Sequence, residues 1–461
     1  MTNNRRGVLE AFYGRPWSWD ERHAMIDFMR EEGFNAYVYA PKNDPVHRNR
    51  WEEPYTSIEW AQFRQLAEHA RSAGVEFMFG LSALSFRYSS PEHLGVLRDK
   101  LRTAQRHGIR SFSLLLDDMP NRFEHPEDAR AFPDLARAQA WLVNELSRDL
   151  TEDGELYFCP TEYCGQGNSA YLWALGSSAK RSVRFFWTGQ DVCSPTITEA
   201  DVQRVSEVVR RSVSVWDNFP VNDLHMHVDL HVAPLEGRDA HVATNDGGYF
   251  AAAGPLPAAS RIALRTTAAF LRDPHAYDPR AAFRAAVRAS TASLAEAEAV
   301  EFLADLTRRH PLAQPTTHLD HSLWPAIDAF WAAHGGPPAE AGPDVKGRPQ
   351  PRPVQPDEEP LRRAARDMER HADTLQRLQD PALRRDVAPW ADKLAGWARV
   401  LKYALGAFDH PHDPRAREYV IEEIALVRAN FHWVAGDTID SLARRMVWHA
   451  EARSTNGKEH A

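Results

Sequence analysis

From residue 6 to about 250 the chain alternates short apolar runs with longer stretches in which apolar residues recur every third or fourth position. The runs read as buried strands and the periodic stretches as helices, which is the pattern of parallel strands joined by crossover helices. Eight strands are predicted: Gly7–Tyr13, Asn35–Ala40, Val75–Leu81, Ser111–Leu116, Leu156–Thr161, Arg184–Thr188, Ser212–Trp216 and Ala240–Thr244. The spacing between them predicts helices over Asp20–Glu32, Ile58–Ala73, His93–His107, Ala129–Leu150 and Thr198–Arg211, with a closing helix at Ala258–Leu271. Eight such units imply an α/β fold, the (β/α)8 TIM barrel, with its chemistry at the C-terminal ends of the strands.

The barrel is expected over residues 5–275, after which the composition turns to Ala, Arg and Glu and helical periodicity takes over. A helical extension is expected over 276–334. A flexible loop or linker is expected over 335–360, where prolines at 337, 338, 343, 349, 351, 353, 356 and 360 rule out a regular helix or central strand. A C-terminal α-helical, bundle-like domain is expected over 361–455. There Val387, Trp390, Leu394, Trp397, Leu401 and Leu405 fall on one helical stripe, read as bundle core. A single long helix from about Arg415 to Ala452 is expected to pack against it.

With 461 residues, 43% hydrophobic and 26% charged, the chain is long enough for two or three domains. A net charge of -9 without a Lys/Arg block argues against a nucleic-acid or anionic-membrane partner. No run approaches the roughly 18 apolar residues of a membrane span. The N-terminus passes almost directly into the first strand and leaves no room for a secretory signal, so a cytoplasmic location is expected. Cys159, Cys164 and Cys193 lack zinc-ligand spacing and read as buried reduced thiols. The 14 tryptophans change the picture more, because an indole is an apolar platform with one donor, the kind of face on which sugars stack.

Candidate chemistry recurs at the strand ends. Strand four, Ser111-Phe-Ser-Leu-Leu-Leu-Asp-Asp-Met119, closes on two adjacent carboxylates, Asp117 and Asp118, which a buried run must place at its open end. Strand one ends in Glu10-Ala-Phe-Tyr-Gly-Arg-Pro-Trp17 and strand two in Tyr39-Ala-Pro-Lys-Asn-Asp-Pro45. Strand five ends in Pro160-Thr-Glu-Tyr-Cys164, strand six in Trp187-Thr-Gly189, strand seven in Trp216-Asp-Asn-Phe-Pro-Val-Asn-Asp223 and strand eight in Ala243-Thr-Asn-Asp246. Rings, amides, carboxylates and one lysine converging on one face point to a polyhydroxylated ligand. Coupling between adjacent carboxylates is expected to drive one of them towards its protonated form, separating an acid from a base. Two neighbours on one strand do not readily face each other across a glycosidic bond at about 5–5.5 Å, so a glycosidase built on this pair takes its nucleophile from elsewhere, a substrate 2-acetamido group being one source. Glu10 and Glu162 are read as structural partners of loop groups. A competing constellation, His225-Met-His-Val-Asp-Leu-His231, places two imidazoles on one side of an extended segment, as in metal-dependent amidohydrolases, and is weighed below a solvated or packing cluster.

Taken together, Gly7-Val-Leu-Glu-Ala-Phe-Tyr-Gly-Arg-Pro-Trp17, Asn35-Ala-Tyr-Val-Tyr-Ala-Pro-Lys-Asn-Asp-Pro45, Trp51-Glu-Glu-Pro-Tyr55, the Leu-Leu-Leu-Asp-Asp core, Phe158-Cys-Pro-Thr-Glu-Tyr-Cys164, Phe186-Trp-Thr-Gly189 and Trp216-Asp-Asn-Phe-Pro-Val-Asn-Asp223 resemble glycoside hydrolase family 84, the β-N-acetylglucosaminidases that include the protein O-GlcNAcases and the bacterial "hyaluronidases". The resemblance covers roughly the first 250 residues. It implies a retaining exo-β-N-acetylglucosaminidase working through an oxazoline intermediate, with Asp117 polarising the acetamido group and Asp118 as general acid, then base. It further implies Tyr163 and Trp216 in the acetamido pocket, Asn218 supporting the catalytic pair, and Lys42, Asp223, Asn245 and the carbonyl of Ala11 on the sugar. No metal or organic cofactor is implied, and the partner is a glycoconjugate bearing terminal β-GlcNAc. Ala11 and Asn43 stand where the family commonly has Gly and often has Asp, which implies a divergent member with altered substrate preference. The alternatives are a hydrolase for another 2-acetamido sugar and a carbohydrate-binding protein on the same scaffold.

Overall fold

The computed structural model describes residues 4–308, 321–337 and 356–456. Residues 338–355, most of the proline-rich stretch, therefore lie outside the described residues. The chain splits into two compact units, Met1–Leu224 with Pro234–Ala282, and His225–Ala233 with Phe283–Ala461.

The first unit is a closed barrel of eight parallel strands in sequence order. They are β1 (Arg6–Glu10), β2 (Ala36–Tyr39), β3 (Glu76–Leu81), β4 (Ser111–Leu115), β5 (Leu156–Cys159), β6 (Arg184–Trp187), β7 (Ser214–Asp217) and β8 (Tyr249–Ala252). β8 closes on β1 with Gly7 opposite Phe250. A Cβ on Gly7 would lie 2.0 Å from the Phe250 ring, so only glycine admits that ring there. Tyr157, Phe186, Trp216 and Phe250 meet ring to ring at 5.1–5.3 Å and fill the barrel under β5–β8. The strands read as continuous apolar runs because the barrel interior and the surrounding helices bury both of their faces.

The helices are α1 (Trp19–Glu32), α2 (Ser57–Ser72), α3 (Pro91–Arg106), α4 (Pro126–Ala131), α5 (Leu135–Leu146), α6 (Ala170–Ser178), α7 (Glu199–Val209), α8 (Ala240–Thr244) and α9 (Pro257–Arg272), of which α6 and α8 fall outside the predicted helices. Ser18 with Glu21 and Thr56 with Glu59 start α1 and α2 with reciprocal capping boxes. Two expectations are corrected. The single helix over Ala129–Leu150 is broken at Phe132-Pro133-Asp134, where proline bars the helical ladder and Asp134 caps α5 through the Arg137 N–H. The eighth strand is Tyr249–Ala252, while Ala240–Thr244 is the short helix α8. Gly247 precedes the true strand because a Cβ there would meet the Val213 carbonyl at 1.9 Å.

β1 also carries a buried ion pair. Glu10, wholly buried, takes Nε and Nη2 of Arg22 at 2.9 Å each, the Trp17 N–H at 3.1 Å and the Tyr37 hydroxyl. It is a structural acid, as read from the sequence. Glu10→Gln leaves a buried guanidinium without its counter-charge, and urea unfolding is expected to show a loss of about 3–5 kcal/mol. A loss under about 1 kcal/mol would contradict the role.

In the second unit α14 (Pro381–Asp409) carries the predicted stripe, and all six of its residues are buried. The expected helix over 415–452 is two, α15 (Pro414–Ala429) and α16 (Thr438–Asn456). The break is held by Asn430, whose amide donates to the Pro389 carbonyl at 2.8 Å, and by Lys393 Nζ, which caps the Val427 carbonyl at 2.8 Å. The segment His225–Ala233, expected as a barrel loop, belongs to this unit: the Val228 carbonyl accepts Trp390 Nε1 at 3.0 Å and the Trp433 N–H at 2.8 Å.

Candidate active site

Loops after β1, β2 and β4 bring their polar groups onto one carboxylate pair. Every residue of β4 is buried and the Leu116 N–H bonds to the Cys159 carbonyl, so Asp117 and Asp118 are the first residues to emerge from the barrel. Lys42 reaches them from the loop after β2: its Nζ lies 2.6 Å from Asp117 Oδ2 and 3.0 Å from Asp118 Oδ2. Asp118 Oδ2 also accepts the Tyr13 hydroxyl at 2.7 Å and Arg48 Nη2 at 2.9 Å. Asp44 holds the loop that carries both cations. Its Oδ2 accepts the hydroxyls of Tyr39 at 2.7 Å and Tyr55 at 2.6 Å, and its Oδ1 accepts the N–H groups of Val46 and His47.

The electrostatics differ from the expectation for adjacent carboxylates. Burial pushes the Asp118 carboxyl up, but Lys42, the Tyr13 hydroxyl and Arg48 outweigh it and hold the group below the usual carboxylate range. Lys42 between the two acids removes the repulsion that was expected to protonate one of them. Burial pulls Lys42 down, yet Asp117 and Asp118 raise it above an ordinary lysine, so it remains a cation. Burial, then the bond to Asp118, pushes the Tyr13 phenol up to about 12. Asp117 has one oxygen on Lys42, while its Oδ1 is buried and accepts no hydrogen bond from any described residue. A carboxylate anchored through one oxygen, with the other accepting nothing from the described residues, calls for an N–H donor.

The neighbouring ends complete the face. Asp223 Oδ2 accepts the Tyr13 N–H at 2.7 Å. The half-buried Tyr163 phenol is pushed up first by burial and then by the charge of Asp117. The Leu9 carbonyl takes the Ala253 N–H, and two residues on, the next donor on that side would be residue 255, a proline, so the ladder leaves the Ala11 carbonyl unclaimed.

The sequence model of a family described as beta-N-acetylglucosaminidase matches residues 6–305. The chain belongs to the β-N-acetylglucosaminidase family. Protein O-GlcNAcase of Rattus norvegicus is 32% identical over 273 residues, covering 58% of this chain and 30% of the relative, and Protein O-GlcNAcase of Mus musculus matches to the same extent. The chain thus spans about 30% of the length of these curated relatives. The solved structure of a mutant O-GlcNAc hydrolase from Thermobaculum terrenum superposes with a TM-score of 0.85 at 28% identity, over 100% of this chain and 97% of that one.

Not every group expected in this β-N-acetylglucosaminidase family member reaches the pair. Asn245 precedes β8 and donates to the Val213 carbonyl at 2.6 Å, which puts it at the N-terminal end of the barrel, opposite the site; the misplaced eighth strand caused the error. Trp187 is 1% exposed, so core atoms take its ring faces and leave none for stacking. Trp216 is buried as well, and its Nε1 donates to Asn218 Oδ1 at 2.8 Å while Asn218 donates to the Val192 carbonyl at 2.6 Å. Asn218 thus steadies the tryptophan and a neighbouring loop rather than bonding to the acids. Glu162 accepts from Asn121 at 3.0 Å, a loop partnership as read. His225 and His227 sit on a 3-10 turn, Leu224–Val228, not on an extended segment, and His227 packs against Phe431. Among the described residues no group of three or more His, Cys, Asp or Glu is placed to hold a metal. Cys159 and Cys193 are buried free thiols, and Cys164 is a half-buried one. No helix among the described residues is long and apolar enough to cross a membrane. Tyr13 and Arg48 were not among the expected site residues; Tyr13 lies inside the strand-one motif and Arg48 between the Pro45 and Trp51 motifs, which was the only sequence signal.

Proposed function

We propose that the protein is a retaining exo-β-N-acetylglucosaminidase that removes terminal β-linked GlcNAc from a glycoconjugate or glycoprotein by substrate assistance. The observation that carries this reading is the Asp117–Asp118 pair at the barrel mouth, in which Asp117 Oδ2 is anchored by Lys42 while Oδ1 accepts no hydrogen bond from any described residue. A 2-acetamido N–H fills that acceptor, and the negative charge polarises the amide so that its oxygen attacks C1. Asp118 gives a proton to the leaving oxygen as the C1–O bond breaks and an oxazoline forms. It then takes a proton from the water that opens the oxazoline, and two inversions restore the β configuration. Asp118 is ionised in the free protein, so it must gain a proton as substrate binds. Further desolvation by the sugar, and hydroxyls that draw Lys42 away, both act in that direction. Asp223, Tyr163 and the Ala11 carbonyl are proposed sugar contacts, and the chemistry is assigned to no metal or organic cofactor.

The test compares an aryl β-N-acetylglucosaminide with the matching β-glucoside and follows the anomer first released by NMR. The expected result is turnover of the acetamido sugar alone, indifferent to chelator, with the β-anomer appearing first. Comparable turnover of the glucoside, or release of the α-anomer, would refute substrate assistance with retention.

A further inference from the structure

Arg48 takes no part in the chemistry above, yet it touches the acid. Its Nη2 lies 2.9 Å from Asp118 Oδ2 and 3.0 Å from the Tyr13 hydroxyl, and its guanidinium carbon stands 5.2 Å from the centre of the Tyr13 ring. With Lys42 at 3.0 Å and Tyr13 at 2.7 Å, three donors converge on this one oxygen. A carboxylate oxygen offers about two lone-pair sites, so Oδ2 is saturated and the proton that Asp118 gives and takes has to travel through Oδ1. Arg48 is itself held firmly. Its N–H bonds to the Pro45 carbonyl, and the preceding residue, His47, is wholly buried with its Nδ1 3.0 Å from the Gly80 carbonyl.

We infer that Arg48 is a positioning residue for Asp118: together with Tyr13 it clamps Oδ2, fixes the plane of the carboxyl group and leaves Oδ1 as the oxygen that exchanges the proton. The role given to that proton rests on the proposed glycosidase reading; the clamp itself does not. The clamp also sets a charge balance. Lys42, Tyr13 and Arg48 act on Asp118, Asp117 beside it shares Lys42, and the charge of Asp118 is felt by Tyr163 and Cys159. With Arg48 present two cations serve two carboxylates; without it Lys42 alone serves both, and Asp118 is easier to protonate. Its titration midpoint therefore moves up, and so does the alkaline limb of kcat/KM, which falls as the free enzyme's acid loses its proton.

The experiment follows the Asp118 carboxyl carbon by NMR in the full chain labelled at aspartate, the signal being assigned by its loss in Asp118→Asn. In parallel, pH profiles of kcat/KM are taken on an aryl β-N-acetylglucosaminide with a poor leaving group. Arg48→Gln is expected to raise the midpoint and the alkaline limb together by about 1 pH unit and to lower kcat about 10-fold, with KM within about twofold. Arg48→Lys should restore the midpoint but only part of kcat, because a flexible ammonium does not reproduce the rigid guanidinium that sets one nitrogen against both Asp118 Oδ2 and the Tyr13 hydroxyl. Tyr13→Phe, which removes one donor and no charge, should move the midpoint in the same direction by less. A midpoint unmoved in Arg48→Gln overturns the clamp, and so does a raised KM at an unmoved midpoint, which would make Arg48 a substrate contact. If the wild type turns over no acetamido sugar, the glycosidase reading falls, while the NMR midpoints still decide the clamp.

Discussion

Asp117→Asn is expected to reduce turnover of good and poor leaving groups alike, by about 10²–10⁴-fold. The reason lies in the two oxygens of Asp117. One is tied to Lys42 at 2.6 Å and the other accepts no hydrogen bond from any described residue, so the group is held in place with one acceptor left for the substrate amide. An asparagine of the same shape keeps the packing but removes the charge. The amide oxygen of the sugar is then a poor nucleophile whatever departs from C1, and formation of the oxazoline slows for every substrate. The check is kcat on a nitrophenyl β-N-acetylglucosaminide and on an alkyl one, with thermal unfolding to show that the variant is intact. A deficit confined to the alkyl substrate would reassign Asp117 as the acid.

Asp118→Asn should behave differently. On substrates with poor leaving groups the loss is expected to reach about 10²–10⁴-fold, the usual worth of general acid catalysis, whereas activated aryl glycosides, whose departure needs little protonation, should lose least. A plot of log kcat against leaving-group pKa should therefore steepen in the variant. The geometry agrees with this division of labour: Asp117 is the more buried of the two side chains, at 10% exposure against 26% for Asp118, which leaves Asp118 the better access to a departing group. Equal losses on both substrate types would sink the acid assignment.

These two residues were legible because an apolar run with two acids at its end admits few other readings in a barrel. The first seven strands were legible for the same reason, since strands buried on both faces are written as uninterrupted apolar sequence. The eighth was not. Val242 and Thr244 are β-branched, a strand-like signal in what is helix α8, while Tyr249–Ala252 carries no β-branched residue. The Gly247-Gly248 pair was the overlooked signal, and Asn245 was lost to the site with the strand. The break between α15 and α16 went unseen because it depends on Asn430 bonding to Pro389, a residue 41 positions away.

The sequence by itself determined the barrel, its order, the helical region after it and the acid pair, because each is encoded in local periodicity or in neighbouring residues. Only the tertiary structure decided which groups act on the pair. Lys42, Tyr13 and Arg48 come from two loops that are 70 or more residues from Asp118 in sequence. They share one of its oxygens only because barrel closure sets β1, β2 and β4 around one mouth. That convergence turned an expected protonated acid into an ionised, three-donor carboxylate, since a charge is governed by what lies within a few ångströms of it and not by what lies beside it in the chain.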